Sequence, residues 1–215
     1  MPSLRSYGDV GVLDLGDGRN VFSHDFIIDV HEHLSEAVER NDRALIITGS
    51  GNYFSAGLDV EWLNVNRDRA ASYVQSVHTL LGRVLTLSMP TLAAINGRAT
   101  GAGALLALAA DLRVMDNHGR IGFTEADTKV PFTNAMAALI QAKVTPKAAT
   151  WMMVMASQLN ADRAIEYDVI DATAKAHDLI PFTAGFLAER KRKDPATMTA
   201  IKSVMYADVI AALKG

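Results

Sequence analysis

The sequence predicts an α/β fold, and three observations carry that reading. Apolar, β-branched-rich runs that stop at turn residues, Val10 to Leu15, Arg43 to Thr48 and Thr91 to Ile95, have the form of buried strands. Between them lie segments whose apolar residues recur at helical spacing. From about residue 176 to 215 no strand signal remains, so helices close the chain. Strands alternating with helices are the pattern of a sheet covered by helices.

Taken in order, Val10 to Leu15 is a strand ending at Gly16-Asp17-Gly18, after which Ser23 caps a helix with Ile27, Val30, Leu34 and Val38 on one face. Arg43 to Thr48 is the next strand, closed by the turn cluster Gly49-Ser50-Gly51-Asn52. A helix from about Arg67 to Leu87 carries Tyr73, Val77, Leu80, Leu81 and Val84 on one face and stops before Pro90. The strand from Thr91 leads through glycines into a helix at 103 to 110. Leu112 to Met115 and Ile121 to Phe123 follow as extended segments, then helical stretches near 133 to 142, 146 to 156 and 161 to 166. Val169-Ile-Asp171 is the last strand candidate, and two helices separated near Pro195 complete the chain. This divides the chain into a core of residues 1 to 175 and a short helical C-terminal region, 176 to 215.

Composition narrows the function classes. With 215 residues, 49% hydrophobic and 21% charged, the chain is long enough to bury a substantial core. Its 24 acidic and 21 basic side chains are interspersed, leaving a net charge of −3 and no broad cationic face for nucleic acid or anionic lipid. A small-molecule ligand is the expected partner. No cysteine is present, so disulfides and thiolate chemistry are excluded. MPSLRSYGDV lacks the apolar core of a signal peptide, and the longest apolar stretch, Ala102 to Ala110, is far shorter than the ~20 residues of a membrane span. A cytoplasmic protein without membrane contact is the expectation.

Two segments carry the chemistry. Phe54-Ser-Ala-Gly-Leu-Asp59 follows a strand and its turn, and Asn96-Gly-Arg-Ala-Thr-Gly-Ala-Gly103 opens a helix. The first N–H groups of a helix have no intrahelical acceptor and sit at the positive end of its dipole, and small residues there let a ligand oxygen approach. Backbone exposed in two such places can form the two halves of an oxyanion hole.

With these motifs placed, the chain resembles the crotonase (enoyl-CoA hydratase/isomerase) superfamily from about Tyr7 to Asp171. FSAGLD, NG-x-A-x-G-x-G followed by Asp111-Leu-Arg-Val114, and Ile121-Gly-Phe-Thr-Glu125 occur in the family's order and approximate spacing. The resemblance implies a ββα spiral core and an acyl-CoA thioester substrate, with coenzyme A entering as part of the substrate and no other cofactor. It places the oxyanion donors at the N–H groups of Leu58 and Ala102 with the thioester oxygen between them, the adenine near the Ser55-Ala56 backbone, and Gly57, Gly101 and Leu105 with them among the substrate-binding residues. The first glutamate of the family's hydratases falls at Leu105 and the second at Glu125. A leucine neither orients water nor donates a proton, so hydration is disfavoured and proton shuttling by Glu125 stays open. This pattern is similar to the mitochondrial type of delta(3)-delta(2)-enoyl-CoA isomerase. The alternatives are hydratase-like or thioester-hydrolase chemistry with the same hole, or a silent acyl-CoA binder. The resemblance also implies a homotrimer or a dimer of trimers.

Other features have plainer readings. The GxG at 101 to 103 with Asp116 downstream is a poor dinucleotide fingerprint, because Leu106 stands at the third glycine and FSAGLD is left unexplained. Asp59, Asp111 and Arg113 read as structural hydrogen-bonding residues. His31 and His33 lie two apart on a helix and point different ways, so no metal site is expected. Met152, Met153 and Met155 beside Trp151 read as core or subunit interface, and Arg190 to Lys193 as a solvated helix end, with binding of coenzyme A phosphates as the alternative. Lys129, four residues after Glu125, is a cation that would depress its pKa if it faced the pocket.

Overall fold

The computed structural model describes residues 1–188 and 193–215, so Arg190, Lys191 and Arg192 of the basic run lie outside the described residues. Its strands are β1 (Ser3–Tyr7), β2 (Val10–Asp14), β3 (Val21–Phe22), β4 (Leu45–Thr48), β5 (Tyr53–Ser55), β6 (Gly57–Leu58), β7 (Thr91–Ile95), β8 (Arg98–Thr100), β9 (Leu112–Asp116), β10 (Arg120–Gly122), β11 (Gln158–Asn160) and β12 (Ala172–Ala174). The helices are α1 (His24–Glu39), α2 (Val60–Val65), α3 (Ala70–Leu85), α4 (Ala102–Ala109), α5 (Glu125–Thr128), α6 (Asn134–Lys143), α7 (Pro146–Ala149), α8 (Ala161–Glu166), α9 (Leu179–Leu187), α10 (Pro195–Met205) and α11 (Ala207–Lys214).

The main sheet runs β1-β2-β4-β7-β9-β12, with β1 antiparallel to β2 and every other pair parallel. The apolar runs Leu45–Ile47 and Leu92–Ile95 form its middle strands and are buried on both faces, which is why they show no alternation. A second sheet, β11-β10-β8-β5, and a small parallel pair, β3-β6, stand beside it. Each turn of the chain contributes a strand to the main sheet and a shorter strand beside it, so the loops after β5 and β8 and the residues after β10 meet at one place. α4, whose side chains are all buried, fills the centre between the sheets.

Most expected elements are present. Ser23 caps α1, its side chain accepting from the Phe26 N–H at 3.2 Å, and Ile27, Val30 and Leu34 are buried; Val38, however, is 39% exposed and Ala37 takes its place in the core. The helix expected over 67 to 87 begins instead at Ala70, after a 3₁₀ turn at Arg67–Arg69. The expected strand at Val169 to Asp171 is displaced. Val169 and Ile170 are buried in a turn, both donating to the Ala164 carbonyl, and the paired strand is Ala172–Ala174. Their burial, not strand pairing, explains the apolar signal. The helical stretch at 146 to 156 becomes α7 and then a π-helical turn at Thr150–Val154, with Met152 buried and Trp151 and Met155 exposed.

The C-terminal region holds three helices among its described residues, not two. α10 and α11 meet at a 79° bend at Tyr206, which is buried and not a helix breaker; the bend is dictated by packing, not by a local proline or glycine. Among the described residues no single helix is long and apolar enough to cross a membrane.

Candidate active site

The loop after β5 is pinned by side chains on both sides. Asn20 adopts a left-handed conformation at φ 51°, and its amide donates to the carbonyls of Gly16, Tyr53 and Phe54 at 3.1, 3.3 and 3.0 Å. The buried Ser55 hydroxyl donates to the Asn20 carbonyl at 2.7 Å and accepts from the Gly57 N–H at 3.0 Å. The Ala56 N–H donates to the Arg19 carbonyl. Past the loop, the Asp59 carboxylate caps α2 by accepting from the Trp62 N–H at 3.0 Å, while the Asp59 N–H donates to the Tyr73 hydroxyl at 2.8 Å. Tyr73 is buried, and that burial pushes its hydroxyl up to about 12, so it stays a neutral anchor. Leu58 is therefore held between two fixed neighbours, and the structural reading of Asp59 is what the hydrogen bonds show.

The second half is built on glycine geometry. β8 ends at Thr100, and Gly101 turns the chain at φ +57° into α4, its N–H donating to the Gly122 carbonyl at 3.1 Å. Ala102 is the first residue of α4, so its N–H has no intrahelical acceptor. The two halves touch: Gly57 sits at φ +85°, and a Cβ there would lie 2.7 Å from the Ala102 nitrogen. A Cβ on Gly103 would collide with the Ser55 carbonyl. Only glycine allows both approaches. The β-carbon of Ala102 does not hold the loops apart. One turn into the helix, Leu105 is buried, at 1% exposure.

Glu125 arrives from a third direction. β10 pairs in parallel with β8, and the chain leaves it to enter α5 at Glu125. The Thr124 N–H donates to Glu125 Oε2 at 2.7 Å, while Oε1 lies 3.2 Å from where a Cβ on Gly101 would stand. Burial raises the Glu125 pKa above the ordinary carboxylate value, against the opposing pull of the backbone amides of Thr124 and of Glu125 itself. Lys129 is exposed at the end of α5, in a left-handed conformation at φ 61°, and is not among the groups that shift Glu125. The arrangement sets one carboxylate of raised pKa beside the N-terminus of a buried helix.

A cavity of about 750 Å³ opens here, lined by Ala56, Leu58, Asp59, Thr100, Thr124 and others. The structure thus brings Leu58, Ala102, Gly57, Gly101 and Glu125 together. Ser55 is present but turned to the protein, its hydroxyl consumed by Asn20 and Gly57. The sequence reading missed Asn20 and Tyr73. Asn20 sits in the turn after Gly18, a position where Asn tolerates φ above zero, but nothing local points to Tyr73, which comes from α3. Asp111 accepts from Thr91 N–H and hydroxyl at 2.8 and 3.0 Å, and Arg113 donates to the Val169 and Ala110 carbonyls, so both are structural. His31 meets Arg83 and His33 meets Glu36 and Pro2, in different directions. Among the described residues no cluster of three or more His, Cys, Asp or Glu is placed to hold a metal.

Comparisons with known proteins bear on the family and the fold. Residues 7–214 match the family model for enoyl-CoA hydratase/isomerase. The chain is 30% identical to peroxisomal enoyl-CoA delta isomerase 2 of Arabidopsis thaliana, over 81% of this chain and 77% of that protein. It is also 30% identical to a putative enoyl-CoA hydratase of Thermus thermophilus, over 93% of this chain and 81% of the relative. A probable enoyl-CoA hydratase from Mycobacterium tuberculosis superposes with a TM-score of 0.92, covering 99% of this chain and 91% of that one, at 22% identity; this likeness is one of fold. With a matching model over nearly its whole length and two paired glycine loops meeting at one carboxylate, the chain belongs to the enoyl-CoA hydratase/isomerase family, the crotonase superfamily.

Proposed function

We propose that the protein is a delta(3)-delta(2)-enoyl-CoA isomerase. The observation that carries this reading is the pairing of one carboxylate, Glu125, with a buried leucine at 105 where the family's hydratases are expected to carry a second. Glu125 removes a proton from the α-carbon of a 3-enoyl thioester. The electrons move onto the thioester oxygen, and the N–H groups of Leu58 and Ala102 hold the enolate. Reprotonation at the γ-carbon by the same carboxyl group moves the double bond into conjugation. One preorganised oxyanion donor typically contributes about 2.7 to 4 kcal/mol in the transition state, so a two-amide hole accounts for a large part of the acceleration. Burial that lifts the carboxyl toward neutrality suits a group that must both accept and return a proton.

Hydration requires a second group to activate water, and Leu105 supports the isomerase instead. Coenzyme A enters with the substrate, and the reaction as written needs no other cofactor. The exposed apolar residues Ile201, Val204 and Met205 on α10 are consistent with the homotrimer or dimer of trimers implied by the resemblance. A short 3-enoyl-CoA, followed for conjugated-enoyl absorbance and for thiol release in one cuvette, tests the reading. Conjugation without thiol is expected. Thiol release without conjugation would mark a hydrolase, and binding without either a silent binder.

A further inference from the structure

The last two helices are seated on buried charge more than on an apolar face. Of the eleven residues of α10 only Lys202 is buried, and α11 buries Val209 and Leu213 alone. The two helices meet at the 79° bend at Tyr206, whose side chain is buried, and α11 packs against α6 and α3. A segment with so few buried apolar side chains is the kind that opens before the rest of a protein does. It also borders the candidate site, because α3 holds Tyr73 against the Asp59 N–H.

The cluster beneath the bend has one cation too many. Lys202 Nζ lies 2.8 Å from Asp111 Oδ2, and the Arg113 guanidinium 3.6 Å from Asp171 Oδ2, so those two pairs sum to zero. Lys143, in the last turn of α6, reaches into the same cluster and donates to the Tyr206 hydroxyl at 3.1 Å. Among the described residues it has no carboxylate within ion-pair distance, and Arg113 and Lys202 both repel its charged form. A neutral amine balances the cluster, whereas an ammonium adds a third cation to two carboxylates. One feature favours the ammonium, the Tyr206 ring, whose centre lies 4.9 Å from Nζ. Burial, ahead of the Arg113 charge, lowers the Lys143 pKa to about 7, so its change of state falls near neutrality. Burial raises the Tyr206 hydroxyl, which keeps it neutral there. Other titratable groups close to α6 face elsewhere. Lys147 of α7 lies over the Tyr167 ring, and His78 of α3 meets the opposite end of α6 through the Thr133 hydroxyl at 3.0 Å.

We propose that Lys143 is the catch of a pH-dependent latch: as a neutral amine it seats Tyr206 and the helices on either side of the bend, and its protonation lets α10 and α11 swing off α6 and α3 while the sheets stay folded. The latch does not depend on the isomerase reading. Once undocked, Lys143 is solvated and takes up its proton near the ordinary value of 10.5, against about 7 when docked. Docking therefore strengthens as pH rises between those values, and the weakening is complete below about 7.

The test is backbone hydrogen exchange read by peptide from pH 6 to 8.5, corrected for the intrinsic pH dependence of exchange, in wild type, Lys143→Met and Lys143→Arg. In wild type the α10 and α11 amides should exchange through an opening roughly tenfold or more as frequent as that of the main-sheet strands. That opening should become about fifteenfold rarer from pH 7 to 8.5 and change only about twofold from pH 6 to 7. Lys143→Met should remove the slope and leave the opening rare at every pH, and Lys143→Arg should remove it and leave the opening frequent. Wild-type α10 and α11 amides that exchange only as often as the main sheet would overturn the latch. So would a slope that survives in Lys143→Met, which would assign the titration to another group such as His78. Should either variant fail to fold, the wild-type profile alone decides: absence of the slope in α10 and α11 overturns the proposal.

Discussion

The candidate active site and the C-terminal anchor are built from different materials. At the candidate active site the close approaches are between backbone atoms: Gly57 and Gly103 let two loops press together, Gly101 turns one of them, and the N–H groups of Leu58 and Ala102 lie at the junction. The C-terminal helices are instead fixed by buried side-chain charge. Lys202 of α10 is 5% exposed and donates to the carbonyls of Leu87 and Met89 at 3.0 and 3.1 Å and to Asp111 Oδ2 at 2.8 Å. Nearby, Lys143 of α6 donates to the Tyr206 hydroxyl at 3.1 Å, and Arg113 pairs with Asp171 at 3.6 Å. A backbone site resists side-chain mutation but not an added Cβ. A buried charge network is the reverse, because removing one partner strands the others.

That contrast can be broken from either side, and the largest effect is expected at the carboxylate to which we assign the proton transfer. Glu125→Gln should lower kcat by about 10²- to 10⁴-fold, the usual contribution of a general base, while the melting temperature stays level or rises because a buried charge is lost. A variant with normal turnover would remove Glu125 from the reaction. In the anchor, Lys202→Met takes the ammonium donor from two carbonyls and the counter-charge from Asp111, which keeps only its hydrogen bonds from Thr91, and should cost about 3 to 5 kcal/mol in denaturant unfolding. A loss under 1 kcal/mol would show the network to be incidental. Gly103→Ala should destabilise by about 1 to 3 kcal/mol, as overpacking does, and lower activity with it, by forcing α4 away from the Ser55 carbonyl.

Two pH effects sharpen the comparison. In the proposed proton transfer Glu125 acts as the ionised base, and its pKa is raised, so kcat should fall on the acid side with a midpoint above that of an ordinary carboxylate. Lys143 is lowered to about 7, chiefly by burial and then by the Arg113 charge. Between that value and the unfolded pKa near 10.5 the unfolded chain holds the extra proton, so stability should climb with pH across this window. Below about 7 the cost of the buried cation is fully present. Lys143→Met should flatten that climb, as read from melting temperature against pH. The smallest effect is expected at Lys129→Gly, which relieves a left-handed residue, should stabilise by about 0.5 to 1 kcal/mol and should leave the acid limb unmoved.

Much of the site was legible because its requirements are local. A glycine that must accept φ +57° or admit a neighbouring backbone appears in the sequence as a glycine, and the apolar run before it as a strand. Glu125 was legible through its place in the block Ile121 to Glu125, although its raised pKa depends on burial that no local pattern shows. Tyr73, which anchors Asp59 from a helix, and Asn20, which ties the loop to β5, were not legible as site residues, because their roles exist only once distant segments meet. Val169 and Ile170 misled for a related reason: burial under a turn leaves the same apolar mark as burial in a strand.

By itself, then, the sequence determined the alternation of strands and helices, the two glycine loops and the single carboxylate at 125 with leucine at 105. These follow from steric and side-chain rules that act over a few residues. Only the tertiary structure decided that the loops converge on Glu125, that Arg98 and Arg120 stand side by side on one sheet face, that Lys129 points to solvent and that α10 and α11 bend at Tyr206. Those outcomes depend on strand register and on burial, which are set by segments far apart in the chain and carry no signal within any one of them.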